Sequence, residues 1–349
     1  MAQRDRTMTD PKIVNITPTD NVFSITWNMH KRCNNDCMYC GSALHDNFSP
    51  VRPLAELQQH WLQIFDKTQH HGLKYKISIT GGEAVINKDF RPFVDWLTDH
   101  YKDHIHAIGA TSNGTSSKHY YLGLLEKLTF LTLSTHTESM VVDRFVETAI
   151  ACNAYTQVTP GKFFMINIME EYWAVETVKH LIDVCKQHGI RYSINRIDYN
   201  RVGSKQYPVF VIGKQLIPRP DLPKTASAIE SAHAEIQAYA NLHRVPEDHY
   251  YNVKIDYDDQ TSVKTYATRL KFLGLDNFQG WKCSAGFKRI SIQPDTSVYS
   301  GECNNRFLGK LSDNSFQLLQ APDLCQQVRC TGNPDDLMIN KEYLGTQSN

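Results

Sequence analysis

The sequence has no long apolar run. Its cleanest stretch, Phe163-Phe164-Met165-Ile166, is four residues, far short of the roughly 20 that cross a bilayer, so no membrane-spanning helix is expected. It carries no net charge either: 37 Lys and Arg stand against 37 Asp and Glu, leaving no field to gather nucleic acid or an anionic membrane surface. Residues 1–12 are polar, with neither an apolar run nor a small-residue cleavage site, so no signal peptide is read there and a cytoplasmic location is expected. Residues 1–20 are expected to be a flexible start. Internal repeats and low-complexity tracts are also missing. What remains is an ordinary soluble composition, 41% hydrophobic and 21% charged over 349 residues, enough chain for about two domains at roughly 150 residues each.

Cysteine is not scarce. Nine cysteines, an odd number without an export signal, argue against a disulfide framework. Cys33, Cys37 and Cys40 fall within eight residues, and Cys283, Cys303, Cys325 and Cys330 within the last 67. Clusters of soft ligands point to metal. Cys152 and Cys185 lie in segments of helical period, where a cysteine ordinarily serves as a small buried hydrophobe.

Between Asn21 and Asp198 short β-branched or aromatic runs alternate with helical segments. The candidate strands are Phe23–Trp27, Lys76–Thr80, His106–Thr111, Phe130–Ser134, Phe163–Ile168 and Tyr192–Ile197; the candidate helices are Pro53–His70, Lys88–Tyr101, Ser117–Leu128, Met140–Ala154 and Tyr172–His188. Six strand–helix units in series predict an α/β fold with a parallel sheet, because parallel neighbours need a crossover. Such a series can curl into a partial (β/α)6 TIM-like barrel over residues 21–200. Pro208, Pro218, Pro220 and Pro223 then predict an irregular linker, followed by a helix at Thr225–His243. Residues 201–282 are read as this linker and helical insert, a candidate cap over a substrate. From Arg289 a hairpin is expected, Arg289–Ile292 and Val298–Tyr299 around Asp295-Thr296-Ser297. Residues 283–335 are read as a small domain and 336–349 as a tail.

The segment Cys33-Asn34-Asn35-Asp36-Cys37-Met38-Tyr39-Cys40 has the spacing C-x3-C-x2-C directly after the first predicted strand. Three thiolates on one loop can hold three corners of a four-iron cube and leave one iron open. A zinc knuckle or a structural cluster completed from elsewhere is the alternative, although zinc sites more often pair cysteines as C-x2-C. One strand later comes Ser78-Ile79-Thr80-Gly81-Gly82-Glu83, whose glycines allow close backbone approach.

These two motifs together resemble the radical SAM enzymes, whose signature is C-x3-C-x-aromatic-C, with Tyr39 as the aromatic. The resemblance implies that Cys33, Cys37 and Cys40 hold a [4Fe-4S] cluster whose open iron chelates S-adenosylmethionine. Tyr39 would lie against the adenine, and Gly81, Gly82 and Glu83 would bind the methionyl amino group. Reductive cleavage would give a 5′-deoxyadenosyl radical that abstracts a substrate hydrogen. Ala84 stands where the family usually has proline. Strand ends are where (β/α) barrels carry working residues, which brings in Thr111 with Ser112, Asn113 and Gly114, and Ser134 with His136. By resemblance Ser134 and Arg144 contact the cofactor's ribose and carboxylate; Arg144 could equally pair with Asp143 or Glu147 on a solvated helix. His45, His136, Asn167, Asn195 and Arg196 are left without a role.

The later cysteines are spaced Cys283-x19-Cys303-x21-Cys325-x4-Cys330, and four such ligands can close one tetrahedral zinc site or one four-iron cluster. With Cys283-Ser284-Ala285-Gly286, Gly301-Glu302-Cys303 and Leu308-Gly309-Lys310-Leu311, the region is similar to the auxiliary-cluster extension called SPASM or its shortened form, twitch. One fully ligated auxiliary [4Fe-4S] cluster is then implied, since no cysteine follows Cys330. The x4 spacing departs from the usual C-x2-C. Members of that group dehydrogenate aminocyclitols, mature sulfatases, modify ribosomal peptides and epimerise sugars. The expected function is therefore a radical SAM oxidoreductase acting on a small molecule or peptide, with the auxiliary cluster as electron acceptor and a flavodoxin or ferredoxin as donor. A redox-neutral epimerase or rearrangement enzyme, with Cys152 or Cys185 returning a hydrogen, is the second expectation. A non-catalytic zinc or iron–sulfur protein is the third.

Overall fold

The computed structural model describes residues 11–37, 39–40, 45–197, 209–212, 215–218, 226–242, 252–330 and 334–345. In chain order its first elements are β1 (Ile13–Pro18), β2 (Val22–Asn28), α1 (Leu54–Thr68), β3 (Lys74–Thr80), α2 (Phe90–Tyr101), β4 (Ile105–Ser112), α3 (Lys118–Leu125), β5 (Phe130–Ser134), α4 (Val142–Val158), β6 (Phe163–Glu170), α5 (Val175–Gln187) and β7 (Arg191–Arg196). Next come β8 (Val209–Ile212), β9 (Gln215–Pro218) and α6 (Ala226–Leu242). The last are β10 (Val253–Tyr257), β11 (Ser262–Thr265), α7 (Thr268–Phe272), β12 (Lys282–Cys283), β13 (Arg289–Ile292), β14 (Ser297–Tyr299), β15 (Phe307–Lys310), β16 (Asp323–Leu324), α8 (Pro334–Leu337) and β17 (Lys341–Glu342). The chain divides into two compact units, one of Trp27–Gln59 and Ile77–Glu247, the other of Met1–Thr26, His60–Lys76 and Asp248–Asn349.

The first unit is the α/β part. Its strands run in the order β2-β3-β4-β5-β6-β7, parallel from β4 to β7, and among the described residues the sheet ends at β7 without closing. Period-two alternation gives the strands two unlike faces. On β6, Phe164, Ile166, Ile168 and Glu170 are buried, while Phe163, Met165, Asn167 and Met169 are half-exposed. Helices cover the buried side: α2 turns Phe90, Phe93, Val94 and Leu97 inward, the i, i+3, i+4, i+7 stripe of an amphipathic helix, and Trp27 meets Phe93 edge to face at 5.4 Å. Ser117 caps α3 by accepting from Tyr120 N–H at 3.1 Å. Helix α6 joins this layer rather than standing apart. Lys179 bridges to Glu235, Tyr239 donates to Asp183, and Gln237 donates to the buried Glu170 at 3.0 Å, which His233 also contacts.

The second unit is antiparallel. Its larger sheet has the order β11-β10-β1-β17-β12-β16, packed through Ile16, Val253, Ile255, Leu270, Phe278 and Leu337. The meander β13-β14-β15 is the other part, and Ser24 N–H on the first half of β2 donates to Lys288 O beside it at 2.9 Å.

Here the boundaries read from sequence are revised. Part of the expected flexible start, Ile13–Pro18, is strand β1, held by β10 and β17. Part of the expected tail, Lys341–Glu342, is β17, inserted between β1 and β12. Residues 201–282 do not form one insert: α6 packs on α5, whereas β10, β11 and α7 belong with the antiparallel unit. A two-residue strand has no periodicity to read, and β1 is recruited by partners more than 200 residues away. The proline-rich linker falls largely outside the described residues. Among the described residues no helix is long and apolar enough to cross a membrane.

Candidate functional site

The cysteine loop is held by the chain that follows β3. Gly82 N–H donates to His30 O at 2.7 Å, Glu83 N–H to Arg32 O at 2.9 Å, and Cys33 N–H to Asp46 O at 2.8 Å. Gly81 has φ +130°, and a Cβ there would stand 2.7 Å from His30 O; a Cβ on Gly82 would stand 2.2 Å from Lys31 O. The Gly-Gly pair is thus required by close packing on the stem of the cysteine loop. Glu83 is fully buried, and both its oxygens are engaged: Oε1 accepts from Val85 N–H at 3.2 Å and Oε2 from Asn113 N–H at 2.5 Å. Burial pushes its pKa up to about 7, with those amides opposing the rise. A carboxylate oxygen keeps a second lone pair, so these contacts leave acceptor capacity.

The three thiols share one environment. Burial raises the pKa of each, Cys40 to about 11 with help from Cys33, and Cys37 further under Glu138 and Glu171. Two N–H groups point at Cys33 Sγ, Asn35 N at 3.4 Å and Asn113 Nδ2 at 3.8 Å. Asn34, which bonds Asn113 and Thr115, ties the loop to the end of β4. Tyr39 is buried, stacked on His136 and tilted against Trp173. Its hydroxyl donates to Glu171 Oε1 at 3.1 Å and touches His136 Nδ1, and Cys37 Sγ lies 3.4 Å from the same nitrogen. Desolvation holds the His136 pKa down to about 4, so the ring is neutral near pH 7. Glu171 is positioned in turn by Thr137 N–H.

Among the described residues no three His, Cys, Asp or Glu side chains converge on a point that would hold a single metal ion. An iron–sulfur cube takes each thiolate at a different iron and does not need such convergence. The donor set suits a cube. Cys37 is buried and Cys33 and Cys40 half-buried on one short loop, metal binding would replace their protons, and N–H groups are aimed at the Cys33 sulfur, as cluster sulfurs favour. Asn35 Nδ2 and Thr137 Oγ1, beside the loop, are buried without a hydrogen-bond partner among the described residues.

Other sequence candidates sort themselves by position. Thr111 pairs with Thr132 in register, on the face that carries Ser134. Ser134 is buried at the end of β5 and receives Asn167 Nδ2 at 3.5 Å; Asn167 Oδ1 accepts from Ser193, which accepts from Asn195. A chain of uncharged polar groups therefore crosses β5, β6 and β7. Arg144 is exposed on the first turn of α4 and donates to Thr115 O at 3.4 Å; Glu147 pairs with Lys118 instead. Arg196 pairs with Glu230 and His45 with Asp36. Cys152 and Cys185 are fully buried on α4 and α5, pushed up to about 12 by burial. They sit among the residues that those helices bury with Phe145, Ala149, Leu181 and Ile182, which fits a packing role. Sequence reasoning missed Asn34, Asn35 and Glu171. The asparagines were visible inside the motif, and Glu170-Glu171 closing an apolar strand was the signal for the third.

The later cysteines gather in the antiparallel unit. Cys283 lies on β12 between Asp323 of β16 and Lys341 of β17. Cys325 N–H donates to Trp281 O, and Cys330 N–H to Asp276 O, each at 2.8 Å. Cys303 N–H donates to Asp336 Oδ2 at 3.0 Å, and Cys330 Sγ lies 3.6 Å from Asp336 O. The charge of Cys325 bears on Cys283, and those of Cys330 and Cys283 bear on Cys303, so each of the other three stands within electrostatic reach of Cys283. Burial raises Cys303 to about 12 and Cys330 to about 11. Asp336 is fixed by a fully buried ion pair with Arg289 at 2.5 Å, and Arg289 also donates to Ser24 and Thr26 at 3.0 Å. Two buried thiols, Cys283 and Cys330, and two half-buried ones, Cys303 and Cys325, have the donor chemistry of a thiolate metal centre.

No family model matches the chain. Over 90 residues, 26% of this chain and 27% of the relative, it is 33% identical to a GTP 3′,8-cyclase of Campylobacter curvus. Over 84 residues, 24% and 25% of the two chains, it is 33% identical to the GTP 3′,8-cyclase of Campylobacter jejuni subsp. doylei. The chain thus matches about a quarter of the length of these curated relatives. Among solved structures it is similar in fold to native anSMEcpe with bound AdoMet, at a TM-score of 0.51 and 14% identity, covering 84% of this chain and 80% of that one.

Proposed function

We propose that the chain is a radical SAM enzyme, an oxidoreductase with two iron–sulfur centres on a partial (β/α)6 barrel and a twitch-like extension. Cys33, Cys37 and Cys40 would hold a [4Fe-4S] cluster with one open iron for S-adenosylmethionine; Cys283, Cys303, Cys325 and Cys330 would hold an auxiliary one. When bound, the first supplies the reductive cleavage that yields a hydrogen-abstracting radical, and the second an acceptor for the electron left on the substrate. The observation that carries the reading is the stem contact: Gly82 and Glu83 donate to His30 and Arg32, so the two signatures form one built loop pair.

The chain's own residues hold and orient. Glu171 and His136 fix the Tyr39 ring, which is the surface assigned to the adenine. Glu83 pins the loop after β4 through Asn113. The uncharged polar row Thr111, Ser134, Asn167, Ser193 and Asn195 supplies hydrogen bonds for cofactor and substrate, a small molecule or a peptide. The electron donor would be a flavodoxin or ferredoxin. Anaerobic incubation of the iron-loaded protein with S-adenosylmethionine and dithionite tests the reading: 5′-deoxyadenosine is expected from the native chain and none from Cys37→Ala. Absence of 5′-deoxyadenosine from fully loaded native protein overturns it.

A further inference from the structure

Lys341 is a buried cation without a carboxylate. Its residue exposure is 1%, and its Nζ donates to the backbone carbonyl of Asp336 at 2.6 Å and stands 5.1 Å from the centre of the Phe278 ring. Among the described residues no Asp or Glu lies within ion-pair distance of it. The nearby carboxylates are committed elsewhere, Asp336 to Arg289 and Asp335 to Lys76 at 2.8 Å. A desolvated ammonium is costly unless an opposite charge faces it, and a carbonyl dipole with one aromatic face is slender compensation. The candidates for that charge are sulfurs. Asp336 O receives both Lys341 Nζ and Cys330 Sγ, so ammonium and thiol converge on a single oxygen. Across β12 and β17, Lys341 is also the register partner of Cys283. Phe278, beneath the ammonium, packs in the same cluster as Cys330.

We propose that Lys341 is the counter-charge of the auxiliary centre, a positioning residue whose ammonium offsets the anionic charge of four thiolates and raises the centre's reduction potential. The inference rests on the reading that these four cysteines bind metal. Four negative sulfurs outweigh the charge of either zinc or an iron–sulfur cube, so either occupant leaves an anion for Lys341 to face. Adding an electron makes that anion more negative, and a fixed positive charge beside it favours the reduced form. The same arrangement predicts an inverted stability effect. Removing a buried, unpaired charge relieves the metal-free protein, whereas it weakens the metal-loaded one.

The test uses the full chain with Cys33, Cys37 and Cys40 replaced by Ala, so that only the auxiliary centre can load, with and without Lys341→Met. Iron and sulfide are counted after anaerobic reconstitution, the midpoint potential is taken by redox titration, and thermal stability is measured with and without metal. Expected for Lys341→Met are about a tenfold smaller reduced-to-oxidised ratio at a given potential, which is about 59 mV for one electron, lower loading, and a metal-free form at least as stable as its parent. Lys341→Arg keeps the charge and is expected to restore the potential. Equal loading and equal potential in Lys341→Met overturn the counter-charge alone. If the parent binds neither iron nor zinc, the reading of an auxiliary centre falls and takes the counter-charge with it. A metal-free Lys341→Met that fails to fold also overturns the inference, because it assigns Lys341 to the fold rather than to the metal.

Discussion

The two cysteine groups are built by opposite means. The first is local: three thiols within eight residues, shaped by backbone bonds to the loop after β3. The second is assembled from four separate places in the chain by two-residue strands and one buried ion pair, Arg289 with Asp336. Their surroundings differ in charge as well. Carboxylates crowd the first, Glu138 and Glu171 acting on Cys37 and Glu83 on Cys33. Lysines reach the second, Lys341 acting on Cys283 and Cys330 and Lys271 on Cys330, against the carboxylate of Asp336. Negative surroundings disfavour an added electron and positive ones favour it. A strong reductant and an electron acceptor are what the proposed oxidation requires, in that order.

The comparison can be broken in several ways. The largest effect is expected from Cys37→Ala, which should abolish 5′-deoxyadenosine formation and remove the iron of the first centre while leaving the second loaded. Arg289→Met strands Asp336 as a buried charge and should cost about 3–5 kcal/mol in denaturant unfolding, with iron lost from the second centre only. Gly82→Ala forces a Cβ to within 2.2 Å of Lys31 O and should cost about 1–3 kcal/mol, now with loss at the first centre. If either substitution depletes both centres equally, the two are not independently built.

The smallest effect concerns Glu83. Its carboxyl titrates near 4.5 when exposed and at about 7 when folded, so between those values the native state binds more protons than the unfolded one. Stability contributed at this site is therefore full below about 4.5, declines as pH rises toward 7, and is level above it. Glu83→Gln should flatten that decline relative to the native chain in unfolding measured from pH 4 to 8. An unchanged slope would mean that the Glu83 carboxyl titrates alike in the folded and unfolded chain.

The same contrast explains what could be read from sequence. β2 through β7 and the helices between them were legible because each is long enough for its period to show, and each ends at a recognisable stop such as Gly189 after α5. Cys33, Cys37, Cys40 and the Gly-Gly-Glu were legible because their spacing is local. The glycines' reason was not: they pack on His30–Arg32, a contact between two loops separated by a helix. β1, β12, β16 and β17 escaped because two to six residues of mixed polarity carry no pattern until their partners are known. Glu171, which holds the Tyr39 hydroxyl, follows that residue by 132 positions, and nothing within either segment announces the other.

Two separately built thiolate centres are the core of this account, and counting iron after anaerobic reconstitution addresses them most directly. The native chain should bind about eight irons, and about four should remain either when Cys33, Cys37 and Cys40 are replaced together or when Cys283, Cys303, Cys325 and Cys330 are. A native chain that stops at four, or a three-cysteine variant that binds none, would contradict it.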